Sequence, residues 1–471
     1  MNKFKVPTLC SGLFLLQTLT SPASVSAQDQ SGKDTKKPNI IVFYVDDLGY
    51  TDLGCMGSDY YQTPNIDKFA TESMLFDNAY APSPVCGPSR LALMTGKYPA
   101  RLHMSSNQGC HLPHKETSIA EALKKNGYVT ASIGKWHLGG KDGYPEDHGF
   151  DYNIAGFELG GISTYFYPYT HSKYPDGIPN IEGGEEGEYI TDRLTDEAIK
   201  IMNTHKDEPF FIYLSHYVVH WPHIAKQKDV FEYLWRLKGG LKHFNPEYAA
   251  MIHNIDENFK KIIDSVNELG ISDNTIIIFT SDNGGAVDFP HATSNYPLRN
   301  GKGTLYEGGL RVPFIVKWPG NTPAGSISHE PINQIDLFPT FLEMAGTPVQ
   351  DKTVDGLSLT PIFKNPNETL HRDALYFHYN TAYVHVNRQN RRVPSGAMRE
   401  GDWKMIHFYR SDLYELYNLK DDIGEINNLA VTYPGKLNEM KTRFLDWKKS
   451  INAREYTDED YKKIEERFNT E

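Results

Sequence analysis

Four apolar runs in this chain stop abruptly on residues that carry charge or bind metal, and this pattern constrains the fold more than any other feature. Asn39-Ile-Ile-Val-Phe-Tyr-Val45 ends in Asp46-Asp47-Leu48-Gly49, and Tyr128–Ile133 ends in Gly134-Lys135-Trp136-His137. Phe210–Leu214 ends in Ser215-His216, with His220 soon after, and Thr275–Thr280 ends in Ser281-Asp282-Asn283. Short apolar runs without polar alternation suit strands covered on both faces. Helix signals lie between them. Ser118 and Glu121 form a capping-box pattern that Gly127 closes. Tyr248, Ile252, Ile255, Phe259, Ile262, Val266 and Leu269 recur at helical spacing, and Val312–Val316 is a further apolar run. Such alternation predicts an α/β fold, a large and mostly parallel sheet sandwiched by helices. Ligands then bind beyond the carboxyl ends of the strands. One charged residue after a strand is an ordinary solvated turn; four strands delivering Asp, Lys, His and Asn to one edge predict a site.

The texture changes after about residue 365. Leu375–His378, Ala382–Val386, Gly396–Arg399, Trp403–Phe408 and Leu413–Asn418 are short, aromatic and separated by turns, and a polar helix follows from Lys436 to Ser450. The expected organisation is therefore a catalytic α/β domain over 38–365 and a smaller C-terminal α+β subdomain over 366–471, with antiparallel strands and one helix. Ahead of them, Lys3 and Lys5 precede an apolar run from Val6 to Leu19, and Val25-Ser26-Ala27 supplies a small-x-small cleavage pattern. Residues 1–27 read as an export signal peptide and 28–37 as a polar linker. The alternative, a membrane anchor, needs a longer run, and Pro7 and Pro22 flank this one. The reading predicts an exported protein, periplasmic in a bacterium, with no stable membrane anchor. The net charge of -12, from 60 acids against 48 bases, argues against nucleic acid as a partner.

With Cys10 in the signal segment, Cys55, Cys86 and Cys110 remain, an odd number that excludes a disulfide scaffold. Cys86-Gly87-Pro88-Ser89-Arg90, followed by Leu91-Ala-Leu-Met94-Thr95-Gly96, places Cys86 at a helix N-terminus. That position lowers a thiol pKa and favours anions, and Arg90 adds a fixed positive charge on the same face. A cysteine protease or thiol transferase would leave the acids at 46, 47 and 282 unexplained. Asp46, Asp47, Asp282 and Asn283 offer only oxygen ligands, a set that suits Ca²⁺ better than Zn²⁺.

Together these motifs resemble the type I sulfatases of the alkaline phosphatase superfamily. The likeness rests on Cys86-Gly-Pro-Ser-Arg90 with Thr95-Gly96, Asp46-Asp47, Gly134-Lys135-Trp136-His137-Leu138-Gly139, Ser281-Asp282-Asn283-Gly284, and Gly301-Lys302-Gly303-Thr304 through Arg311-Val312-Pro313. The resemblance implies that Cys86 is oxidised to Cα-formylglycine by a sulfatase-maturating enzyme, and that its hydrate is the nucleophile. Asp46, Asp47, Asp282, Asn283 and residue 86 would hold Ca²⁺, with Asp282 able to take the nucleophile's proton. Arg90 and Lys135 would hold the nucleophile and sulfate. His220 and Lys302 would bind sulfate and assist the leaving alcohol, and His137 would be the base that releases sulfate. His216 and His223 compete with His220 for its role. Trp136, Trp221 and Trp318 read as packing residues.

The implied substrate is a sulfated glycan. Thr191-Asp192-Arg193-Leu194-Thr195-Asp196 and Gly303-Thr304-Leu305-Tyr306-Glu307-Gly308 point to sulfate on galactose or N-acetylgalactosamine, with 4-O the first position to test. Candidate sugar contacts are Asp288 and His291, Arg299, His171, and His385, Asn387 and Arg388. Alternatives are a sulfatase for N-acetylglucosamine or a uronic acid, a phosphatase or phosphodiesterase of the same superfamily, and a glycan binder whose Cys86 is never oxidised.

Overall fold

The computed structural model describes residues 36–287, 292–380, 383–384, 391–457, 459–460 and 462. The expected signal peptide and all but Lys36 and Lys37 of the expected linker lie outside the described residues. From Lys37 onward the described residues pack as one compact unit. Its core is an eight-stranded sheet of β1 (Asn39–Val45), β2 (Met74–Phe76), β3 (Val129–Gly134), β4 (Tyr152–Ile154), β5 (Phe210–His216), β6 (Thr275–Ser281), β7 (Phe314–Lys317) and β8 (Ser326–Ser328). Their spatial order is β4-β3-β5-β1-β6-β7-β2-β8. Only β7 runs against its neighbours, so the expected mostly parallel sheet is present. The apolar run expected at Val312–Val316 forms its strand two residues later, as β7.

Each residue of β1 is buried, and successive side chains enter opposite layers, as strand geometry requires. Ile41, Phe43 and Val45 pack with Leu194, Ile255 and Phe259, from α3 (Ile190–Thr204) and α4 (Pro246–Glu268). Ile40, Val42 and Tyr44 pack with Leu91, Leu123 and Phe341, from α1 (Cys86–Thr95), α2 (Ile119–Lys125) and α5 (Leu337–Met344). The capping box at Ser118 and Glu121 opens α2, and the apolar positions expected in α4 are buried from Tyr248 to Val266. Register aligns the strand ends: Val45 lies beside both His216 and Ser281, and Gly134 lies beside Ser215. The residues that follow these ends therefore emerge together at one edge.

The C-terminal part is a four-stranded antiparallel sheet in sequence order, β9 (Leu375–Tyr379), β10 (Ser395–Glu400), β11 (Trp403–Phe408) and β12 (Leu413–Asn418). Helix α6 (Pro434–Ser450) covers one face through Met440 and Phe444. Of the expected strand at Ala382–Val386, only Tyr383 and Val384 are among the described residues, and they are not in this sheet. Tyr383–Val384 pairs instead with Arg391–Arg392 in a separate ribbon. The other face joins the central body through a shared core that includes Tyr80, Val85 and Leu310 with Phe377, Ile406 and Tyr417. Among the described residues, no helix is long and apolar enough to cross a membrane.

Candidate active site

Three carboxylates and three cations interlock at the carboxyl edge of the sheet. Arg90 on α1 donates through Nε (3.0 Å) and Nη2 (2.7 Å) to Asp282 Oδ2. Its Nη1 donates to the Lys135 carbonyl (2.9 Å) and the Tyr213 hydroxyl (3.2 Å), and also to Ser215 Oγ. Lys135 Nζ donates to Asp46 Oδ2 at 2.6 Å, and Lys302 Nζ to Asp47 Oδ2 at 2.6 Å. Asn283 Nδ2 donates to Asp47 Oδ1 at 2.9 Å. All of these side chains are buried. Paired charges survive burial where unpaired ones would not.

Burial pushes Asp46 up to about 6, against the pull of Lys135, and pushes Asp282 up to about 6 with help from Asp46. Burial works the same way on Asp47, but Lys302, His220 and Lys135 outweigh it and hold that carboxyl below its ordinary value. Asp46 meets cations as well, Lys135 at 2.6 Å and Arg90 at 3.7 Å, but neighbouring Asp47 raises it, whereas the main influences on Asp47 besides burial are Lys302, His220 and Lys135.

Cys86 begins α1, with Sγ 3.4 Å from His137 Nδ1 and 3.5 Å from Asn107 Nδ2. Burial, then Lys135, Arg90 and Lys302, hold His137 well below the usual histidine value, so its ring is neutral. His220 Nε2 lies 3.8 Å from Asp47 Oδ2, and its Nδ1 is 2.6 Å from the Trp221 carbonyl. Burial and Lys302 lower His220 to about 3. Of its competitors, His216 is buried against Phe43, while His223 stands edge-on to Tyr248 and still feels the charges of His220 and Asp47. Cys55, Cys86 and Cys110 are free thiols.

Ligand atoms of Asp46, Cys86 and Asp282 lie within 4.8 Å of one another. Asp46 Oδ1 and Asn283 Oδ1 are buried acceptors with no hydrogen-bond partner. Oxygens left unpaired beside a carboxylate cluster fit a hard divalent cation. The loop that carries Lys302 is held backbone to backbone. Lys302 N donates to the Gly285 carbonyl (3.0 Å) and Gly284 N to the Gly309 carbonyl (3.1 Å). A Cβ at Gly284 would overlap the Gly308 carbonyl, and one at Gly301 the Gly285 carbonyl.

Asn107 was not anticipated. Its Oδ1 accepts from Gly87 N at 2.9 Å, but it sits in an irregular segment with no periodic signal. Ser215 and Tyr213 were also missed as partners of Arg90, although Ser215 stands at a strand end.

Asp288, His291, His385, Asn387 and Arg388 lie outside the described residues. His171 pairs with Tyr174 in a local bridge. Arg299 donates through Nη1 to the Tyr417 hydroxyl (3.0 Å) and the Glu425 carbonyl (2.6 Å), and lies 4.0 Å over the Tyr306 ring. It thus ties the two sheets together. Trp136 is fully buried, but Trp221 is 53% exposed, which departs from its reading as a packing residue.

Residues 38–347 match the sulfatase family profile. The chain belongs to the sulfatase family. Residues 300–449 also match the profile of the C-terminal region of N-sulphoglucosamine sulphohydrolase. This sulfatase is 33% identical to N-acetylgalactosamine-6-sulfatase of Rattus norvegicus, over 79% of its own chain and 74% of that protein. It is 30% identical to a sulfatase of Formosa agariphila, over 90% of each. The crystal structure of Ps i-CgsB in complex with k-i-k-neocarrahexaose superposes with a TM-score of 0.76 at 32% identity, covering 88% of this chain and 93% of that one. The activity of this sulfatase is that of a sulfuric ester hydrolase.

Proposed function

We propose that this sulfatase removes sulfate from galactose or N-acetylgalactosamine residues of a glycan, using Cys86 oxidised to formylglycine and a Ca²⁺ ion held by Asp46, Asp47, Asp282 and Asn283. The observation that carries the reading is the convergence of Cys86 with three carboxylate–cation pairs at one buried strand edge. When bound, the aldehyde hydrate and the cation supply a nucleophile and a stabilising charge for the sulfate oxygens.

The remaining work falls to side chains already in place. Arg90 and Lys135, locked by Asp282 and Asp46, keep positive charge beside residue 86 without having to reorganise. Lys302 does the same from the far side. His137 is neutral and adjoins residue 86, so it suits removal of a proton from the hydroxyl formed there. His220 is neutral in the free protein. An anionic sulfate ester near Nε2 favours its protonated form, which then gives a proton to the leaving alcohol oxygen. The three carboxylates balance Arg90, Lys135 and Lys302, so the charge of a divalent cation is left for the sulfate and the nucleophile.

The relatives named N-acetylgalactosamine-6-sulfatase, and the oligosaccharide bound to Ps i-CgsB, support a glycan substrate and set 6-O beside 4-O as the positions to compare. The test is sulfate release by matured protein from galactose, N-acetylgalactosamine and N-acetylglucosamine sulfated at each position, with Cys86→Ala as control. Release from a galacto-configured sugar, lost in the control and after chelation, is the expected result. Release from glucosamine sulfates alone would overturn the sugar assignment, and turnover by Cys86→Ala would overturn the mechanism.

A further inference from the structure

Three exposed aromatic side chains stand on segments that also reach the sulfate-binding edge. Trp221 is 53% exposed, Phe244 43% and Tyr296 57%. A short buried aromatic core connects them to the site. The Tyr248 hydroxyl donates to the Asp47 carbonyl (3.3 Å) and to Asp52 Oδ2 (2.7 Å). The Tyr248 ring meets His223, two residues beyond Trp221, at 5.3 Å, and Tyr61 at 5.3 Å. Tyr61 in turn meets His243 at 4.7 Å. Lys242 and Phe244 flank His243 in the chain, and Lys242 Nζ stands 4.3 Å over the Tyr296 ring. Asp59 fixes this turn by accepting from Lys242 N (2.9 Å) and His243 N (3.2 Å). Asn295 anchors the base of Tyr296 by donating to the Gly285 and Asn300 carbonyls at 2.9 and 3.1 Å. Both ends of the patch are thus rooted in backbone that also holds Asp47 and Lys302.

We infer that Trp221, Lys242 and Tyr296 form a second subsite, which takes an anionic sugar residue adjoining the one whose sulfate is cleaved. The inference rests on the glycan-sulfatase reading and adds a minimal substrate longer than one ring. Exposed aromatic faces on a rigid base are binding surfaces rather than core, and Tyr and Trp offer large contact area at small entropic cost. Sugar rings present flat C–H faces that match them. The cation is what selects an anionic sugar. An exposed lysine over a tyrosine contributes only about 0.5–1 kcal/mol internally, which leaves its charge available to a sulfate or carboxylate. Trp221 follows His220 directly in the chain, and its carbonyl meets His220 Nδ1, so a chain leaving the sulfate pocket past His220 comes first to the Trp221 segment.

The test uses Cys86→Ala protein to measure binding without turnover, with galactose sulfate, a sulfated-galactan tetrasaccharide and a chondroitin sulfate tetrasaccharide as probes. The expected result is that one tetrasaccharide binds at least tenfold more tightly than the monosaccharide. Lys242→Ala and Tyr296→Ala should each remove about fivefold or more of that gain and leave the monosaccharide within twofold, with the Lys242 share shrinking as salt rises. In matured protein the same two variants should raise KM for the tetrasaccharide and leave kcat on the monosaccharide unchanged. Binding of neither tetrasaccharide, or binding indifferent to both substitutions, overturns the subsite. Lysine-dependent tetrasaccharide binding without sulfate release by matured protein upholds the subsite and overturns the galacto-sulfatase reading instead.

Discussion

Two buried clusters of opposite charges lie in this sulfatase, built from the same residue types and put to different ends. At the sheet edge, Asp46, Asp47 and Asp282 face Arg90, Lys135 and Lys302. Between the two sheets, Lys404 Nζ lies 2.8 Å from both Glu307 Oε1 and Glu425 Oε1, and Arg311 Nη1 approaches Glu307 Oε2 at 3.5 Å. Tyr80 donates to Glu307 Oε2 at 2.6 Å, Glu425 Oε2 accepts from Glu307 N at 2.7 Å, and Arg399 donates to Tyr80 and Asn78. Lys404, Arg311 and Arg399 overcome burial to hold Glu307 below its ordinary value, while burial pushes Glu425 up. The difference lies in what surrounds the charges. The inner cluster is enclosed by two sheets and spends its contacts on joining them. The edge cluster sits where strands end, beside a helix N-terminus and Cys86, with Asp46 Oδ1 and Asn283 Oδ1 unpaired there, whereas the unpaired acceptor of the inner cluster, Glu425 Oε1, faces Lys404 at 2.8 Å. Charge pairing alone therefore does not mark a site; position at the strand ends separates the two clusters.

Substitutions in the two clusters should separate activity from stability. Cys86→Ala should lower turnover by roughly ten-thousandfold or more, since the nucleophile is lost, while leaving the melting temperature near that of the parent; calorimetry beside a sulfate-release assay checks both. Lys404→Met should do the reverse. It strands two buried carboxylates at a cost of about 3–5 kcal/mol, seen in urea unfolding, while kcat of the molecules that remain folded stays unchanged. A kcat loss at constant stability would erase the distinction between the clusters. Lys302→Ala should lower kcat by about a hundredfold, with a smaller stability change than Lys404→Met because Asp47 keeps Asn283 and lies nearer solvent.

The smallest effect concerns His216, at a strand end but outside both clusters. Neither of its nitrogens has a hydrogen-bond partner, and burial lowers it to about 3. The unfolded chain takes up the proton near pH 6.5 and the folded one does not. Stability is therefore complete above that pH and falls as pH drops toward 3. The loss from this one group is about 2 kcal/mol at pH 5. His216→Leu should flatten the acid limb of the stability curve between pH 6.5 and 4; an unchanged slope would show that the residue is hydrated.

The sequence announces the edge cluster and hides the inner one for a physical reason. A strand buried on both faces must be apolar, so its end is written as a sharp change of residue type, and Asp46, Lys135 and Asp282 each follow such a change. The helix at Cys86 is marked by Pro88 near its start and Gly96 just past its end. Lys404 and Glu425 sit in short strands and turns whose partners are remote in sequence, and no local pattern pairs them. Arg299 shows the same gap. As a polar loop residue it suggested a sugar contact, yet its partners are Tyr417 in the far sheet and Glu425 in the segment beyond that sheet. Trp221 is the converse, an aromatic that composition assigns to a core and the fold leaves half uncovered.

The glycine contacts between 284–285 and 301–309 have a consequence for inheritance. The glycines themselves bear no reacting group, yet a single added methyl at Gly284 or Gly301 overlaps a backbone carbonyl. The displacement falls on Asn283 and Lys302, one residue away. A random screen for inactive but well-expressed alleles should therefore return these glycines beside Cys86 and Asp282. The genetic footprint of the active site is larger than its chemistry, and part of it is written in residues with no side chain at all.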